Sequence, residues 1–167
     1  MTGRTKPYLD DDLRSSVLSL VVFGLTVQRY ALPLYTVERV FPMAEVAPLP
    51  KAPAIVFGVI NLHGTIIPVL DIHRRFGFPP RGYGLAAHLL VARTSRRTLA
   101  LPVDEVLGVR EVAAAAAVPA DTVLPGIGHV AGIVALADGL LFIQDLEAFL
   151  SLEEEQRLGE ALETRDR

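Results

Sequence analysis

Two stretches of this chain repeat each other. Leu20–Val40 (LVVFGLTVQRYALPLYTVERV) aligns without a gap with Leu89–Val109 (LLVARTSRRTLALPVDEVLGV), sharing an apolar-Ala-Leu-Pro-apolar core and a valine three residues on. A second block follows the same rule. Gly58-Val59-Ile60-Asn61-Leu62, then Val69-Leu70-Asp71-Ile72, matches Gly132-Ile133-Val134-Ala135-Leu136, then Ile143-Gln144-Asp145-Leu146. Two copies about 70 residues apart are too long and too few for a solenoid, so they read as two like-folded halves sharing a core.

The 167 residues suffice for one domain or two small halves. Hydrophobic residues make up 51% and charged residues 21%, a balance that supports a packed core. A net charge of −3 without a basic stripe argues against nucleic acid as a partner. The absence of cysteine excludes disulfides, thiolate metal sites and a thiol nucleophile. No apolar leader opens the chain, and the longest nearly apolar run, Val17 to Val27, is short of the roughly 20 residues of a membrane span. These features predict a soluble, cytoplasmic protein with no direct membrane insertion.

Residues 1–15 read as a loose polar arm carrying Asp10-Asp11-Asp12. From Val17 short Val/Ile/Leu-rich runs alternate with Gly, Pro and charged pairs, the pattern of an all-β domain. Hairpin turns are predicted at Val27-Gln28-Arg29, Ser95-Arg96-Arg97, Asn61-Leu62-His63-Gly64 and Ala137-Asp138-Gly139. Pro33, Pro68 and Pro102 fall inside good strands and each demands an edge or a bulge. Bent, bulged strands are how small barrels turn corners, so the halves read as two barrels of about five strands. Ala52–Val56 fits a short helix or an irregular link, and Ala113–Ala117 fits helix or extended loop equally. Residues 151–167 form a C-terminal amphipathic helix and tail. Ser151 and Glu154 make a capping box, and Leu158, Ala161 and Leu162 line one side, expected to fold back on the body, although the charged remainder could instead meet a partner.

Chemistry is sparse. His63, His73, His88 and His129 lack metal-ligand spacing, and no P-loop, G-x-S-x-G or dinucleotide motif occurs; Gly126-Ile127-Gly128 is loop punctuation. Asp71 and Asp145, equivalent in the two copies, are read as caps of the turns that follow them rather than as a catalytic dyad. Arg74-Arg75 and Arg96-Arg97 are read as exposed pairs. No catalytic residue, metal or cofactor is assigned, and a binding protein is the expectation.

The motifs Val22-Phe23-x-Leu25, Tyr30-Ala31-Leu32-Pro33-Leu34-x-x-Val37, Pro53-x-x-Val56-x-Gly58-Val59-Ile60-Asn61-Leu62-x-Gly64-x-Ile66-Ile67-Pro68-Val69-x-Asp71 and Val103-Asp104-x-Val106 resemble the CheW family, the coupling proteins of bacterial chemosensory arrays. The likeness runs from about Val17 to Leu150, so residues 16–150 are expected to form a CheW-like domain with pseudo-repeats near 20–76 and 89–150. The resemblance implies two intertwined five-stranded SH3-like barrels. It also implies a non-catalytic adaptor joining a CheA-type histidine kinase, through that kinase's own CheW-like regulatory domain, to the cytoplasmic tip of chemoreceptors. The receptor tip lies between the barrels in that family, and the matching positions are Leu34 and Val37 from the first copy with Val109 and Val112 from the second. The kinase is expected at the exposed barrel ends.

Two positions depart from the family. It usually reads Asn-Leu-Arg-Gly where this chain has Asn61-Leu62-His63-Gly64, and Val-x-Glu where it has Val37-Glu38-Arg39. The acid and base that can pair there in typical members are both replaced. Arg39 and His63 would flank the receptor surface, and the double change points toward altered partner choice. The alternative reading is therefore a divergent accessory member that binds kinase without receptor, or that serves a pathway unrelated to swimming. A β-barrel enzyme or small-molecule binder using Asp71, Asp145 and a histidine is the contrasting class.

Overall fold

A computed structural model describes residues 17–75, 77–79, 82–123 and 129–165. The polar arm and Gly126-Ile127-Gly128 lie outside these residues. In chain order the strands are β1 (Val17–Leu25), β2 (Gln28–Pro33), β3 (Val37–Pro42), β4 (Val56–Leu62), β5 (Thr65–Leu70), β6 (His88–Arg93), β7 (Thr98–Val103), β8 (Glu105–Ala113), β9 (Ala117–Pro119), β10 (Val130–Leu136) and β11 (Gly139–Gln144). The helices are α1 (Ile72–Arg75), α2 (Ala120–Val123) and α3 (Leu152–Arg165).

The chain forms two compact units, and neither is a single copy of the repeat. The first runs to Tyr35 and resumes over Val106–Asp145; the second comprises Thr36–Glu105 and Leu146–Arg167. The first is built on a sheet ordered β8-β1-β2-β11-β10-β9 and the second on a sheet ordered β3-β6-β7-β5-β4. Each copy thus sends its opening hairpin to one unit and its remaining strands to the other. The seams are parallel pairings, Leu141 to Arg29 through Ile143 to Ala31 in the first unit and Val69 to Ala100 in the second. This is the all-β, paired SH3-like barrel architecture, with its halves intertwined.

The repeat extends to backbone detail. Register shifts interrupt β4 between Val56 and Gly58, and β10 between the equivalent Val130 and Gly132. The Asp71 N–H donates to the Ile55 carbonyl and the Asp145 N–H to the His129 carbonyl, each at 2.9 Å. In the first unit Leu20, Val22, Ala31, Val112, Val134, Leu141 and Ile143 share one apolar core. In the second Ile60, Ile67, Val69, Leu89, Val91 and Ala100 share another, with Phe41 and Phe57 against it.

Several local expectations change. The β1–β2 turn is Thr26-Val27, with Thr26 at φ 59°, because Gln28 and Arg29 already pair with Leu25 and Gly24. No proline sits at a register shift itself, although Pro68 pairs with Val59 next to the one in β4. Pro68 adjoins the single β5–β7 pair, Val69 with Ala100, and Pro102 lies two residues past it. Residues 52–55 are an irregular link and Val56 already opens β4, while the alanine run is one 3₁₀ turn, Ala114–Ala116, set between strands.

Of the two arginine pairs Arg96 is exposed, as expected, while the other three side chains are engaged. Arg74 donates to the carbonyl of Ala54 at 2.6 Å and lies over the Phe57 ring at 5.6 Å. Arg75 and Arg97 reach α3 instead of solvent. The capping box is present: the Ser151 N–H donates to Glu154 Oε1 at 2.9 Å, and the Glu154 N–H to Ser151 Oγ at 3.1 Å. Leu158 is wholly buried and Ala161 nearly so, fixing the helix on the second unit. Burying such a leucine contributes about 1.5–3 kcal/mol.

Candidate interaction surfaces

Leu34, Val109 and Val112 belong to the first unit; Val37, Arg39 and His63 belong to the second. Leu34 opens a 3₁₀ turn and is 41% exposed, followed by Tyr35 at 73%. Strand β8 is the edge of its sheet, and alternation puts residues three apart on opposite faces. Val109 accordingly stands 60% exposed while Val112 is 9% exposed inside the core. Val112 serves packing and has little side-chain surface to offer a partner.

In the second unit β3 is likewise an edge strand, with a register shift between Val37 and Arg39. Val37 is half-buried, and Arg39 projects into solvent. His63 sits in the β4–β5 turn at φ 53°, with Gly64 at φ 90°. Positive φ at both central residues is the signature of a type I′ hairpin. The Asn61 Oδ1 accepts from the Gly64 N–H at 2.8 Å and holds the turn. Strands β3 and β4 are at opposite ends of the sheet order, and no hydrogen bond or ion pair joins Arg39 to His63.

Other exposed groups escaped the sequence reading. At the hairpin end of the first unit Val27 is 98% exposed and Leu140 49%, and the parallel β2–β11 register places them at the same end. Gln28 Nε2 donates to the Leu140 carbonyl at 3.1 Å. Arg29 forks onto Asp138, Nη1 to Oδ2 at 3.1 Å and Nη2 to Oδ1 at 3.0 Å. That hydrogen bond is the main cause holding the Asp138 carboxyl below its usual range, and it raises Arg29 in turn. The pair is not legible in sequence, because only the parallel β2–β11 pairing brings Arg29 beside the hairpin that carries Asp138.

Asp71 proves to be a cap. Its Oδ1 accepts from the His73 N–H at 3.0 Å, opening α1, and from the Tyr83 hydroxyl at 3.0 Å. Tyr83 gives its only proton to Asp71, so the 3.2 Å contact between its oxygen and His73 Nδ1 makes that nitrogen the donor. Asp71 and His73 are both almost fully buried. This network ties Tyr83 to the start of α1. Among the described residues no group of three or more His, Asp or Glu side chains is arranged to hold a metal ion.

The two sheets carry exposed apolar side chains on edge strands and hairpin ends. A CheW-like domain matches residues 19–154, most of the chain. The protein is a member of the CheW-like family. A chemotaxis protein CheW of Treponema pallidum is 27% identical over 146 residues, covering 84% of this chain and 86% of that protein. The CheW of Klebsiella aerogenes is 26% identical, covering 80% and 82%. The crystal structure of the scaffolding protein TtCheW from Thermoanaerobacter tengcongensis superposes with a TM-score of 0.76 at 27% identity, covering 83% of this chain and 96% of that one. CheW-like proteins are scaffolds and adaptors of chemotaxis, and this chain shares their fold over the matched residues. No helix among the described residues is long and apolar enough to cross a membrane.

Proposed function

We propose that this CheW-like protein is a cytoplasmic, non-catalytic adaptor that couples a CheA-type histidine kinase to the cytoplasmic tip of chemoreceptors. The family match over residues 19–154 carries the reading. The receptor-facing residues are Leu34, Val37 and Val109, with Arg39 and His63 at the rim; Val112 packs within the first unit's core. The kinase's CheW-like domain docks at the barrel ends. Mixing the chain with that domain of its cognate kinase should give co-elution on gel filtration at tens of micromolar. Elution as two separate species at that concentration would overturn the adaptor reading.

The exposure of Arg39 and His63, neither in an ion pair, favours a second reading in which this member chooses different receptors from typical relatives. His63→Arg combined with Arg39→Glu restores the family's acid and base. If only that double variant couples receptor to kinase, the chain is an accessory member. If the natural chain couples fully, the two replacements leave partner choice intact.

A further inference from the structure

The repeat gives each unit an equivalent hairpin end, and the two ends are treated differently. In the first unit the turn is Thr26-Val27, with Val27 98% exposed. In the second the equivalent β6–β7 turn, Thr94–Arg97, is engaged by the C-terminal segment. The Ser95 N–H and hydroxyl both donate to Glu147 at 2.7 Å, Arg97 holds Glu155 at 2.5 Å, and Arg75 of α1 holds Glu154 at 2.7 Å.

The hold of α3 is narrow. Among its described side chains only Leu158 and Ala161 are buried, and the others are exposed or half-exposed. The segment Leu152–Arg165 carries five glutamates against two arginines, so its attachment leans on the two ion pairs. A 14-residue helix is marginal in water by itself. The fit is also incomplete. Both Arg97 contacts, from Nε and Nη2, fall on the single oxygen Oε1 of Glu155. Arg75 meets Glu154 through Nη2 alone, leaving its Nε–H buried with no acceptor. A carboxylate gripping Arg75 through both nitrogens would satisfy what α3 leaves open.

We propose that Arg75, Arg97 and the surface over Leu158 form a docking seat for an acidic amphipathic helix, and that α3 fills this seat in cis as a releasable strap. The occupant it fits in trans is a partner helix with adjacent glutamates one turn before an apolar pair, the pattern of α3 itself. Charge complementarity selects that partner, since the seat presents two guanidinium groups. This assignment is independent of receptor or kinase coupling.

The test uses the full chain and, as probe, a fluorescent peptide of residues 151–167. Glu154→Gln with Glu155→Gln loosens the strap while keeping a glutamine in the capping box. That variant should bind the peptide saturably, at least tenfold more tightly than the natural chain. Adding Arg75→Gln and Arg97→Gln should abolish the binding. In the natural chain, amide exchange over 152–165 should accelerate at least tenfold between low and 0.5 M salt while β6 and β7 stay protected. Exchange of α3 in step with β6 and β7 at every salt concentration, or no peptide binding by the loosened variant, would overturn the proposal.

Discussion

At Gly58 the chain passes close to a neighbouring backbone. A Cβ there would lie 2.3 Å from the Ala47 carbonyl oxygen and 2.7 Å from Val46 Cγ1, so any side chain forces the β4 bulge open. The equivalent Gly132 has more room, its nearest neighbour being the Val118 carbonyl at 3.3 Å. Gly58→Ala should cost about 1–3 kcal/mol through overpacking, and Gly132→Ala clearly less. Urea midpoints of the two variants measure the difference; equal midpoints would show that the approach to Ala47 does not constrain the fold. The sequence marks both glycines as repeated, yet it does not reveal which is crowded, because Ala47 reaches Gly58 only through tertiary bridging. The same limit governs the residues proposed to face a partner. Leu34 and Val109 are exposed as the family motif implies, but Val112 is core, and only strand parity separates it from Val109.

Among the elements, α3 is the most legible and the most charge-dependent. Its start is written in Ser151 and Glu154, two residues whose reciprocal bonds need only local geometry. Its anchors are not written locally, because Arg75 and Arg97 lie in other elements and look like surface arginines in sequence. Burial tends to raise the Glu154 carboxyl, but the Ser151 N–H and the Arg75 guanidinium outweigh it and hold the group below its ordinary 4.5. A carboxyl depressed in the folded state contributes stability that is complete above the ordinary value and is lost as pH falls through the folded one. NMR signals of α3 should therefore hold steady from pH 7 to about 5 and shift toward an undocked helix on further acidification. In Glu154→Gln the acid-dependent change should shrink; an unchanged acid transition in that variant would place the linkage on other groups.

Across the whole molecule, the repeat announces the architecture but not its connectivity. Leu20–Val40 and Leu89–Val109 tell a reader that two like halves exist, and the prolines within them suggest small, sharply bent sheets. Nothing local distinguishes a copy that folds on itself from one that lends its first hairpin to the other unit, because both satisfy the same hydrophobic pattern. The family resemblance supplies that distinction, and the sheet orders bear it out. The exchange has a consequence for folding. A fragment ending at residue 86 keeps β1 to β5 but lacks β6 and β7, the strands that link β3 to β5 in the second sheet. The same fragment has only the β1–β2 hairpin of the first sheet, and an isolated hairpin is marginal in water. The complementary fragment from residue 87 is deprived in the same way, holding the β6–β7 hairpin of one unit and β8 to β11 of the other. Each fragment by itself should show a collapsed or unfolded circular dichroism spectrum without a cooperative thermal transition. Mixed at equal concentration they should recover the β spectrum and a concentration-dependent melting transition, since every sheet is then complete. A first fragment that folds and melts cooperatively unaided would mean that the copies, rather than the intertwined units, are the elements of stability.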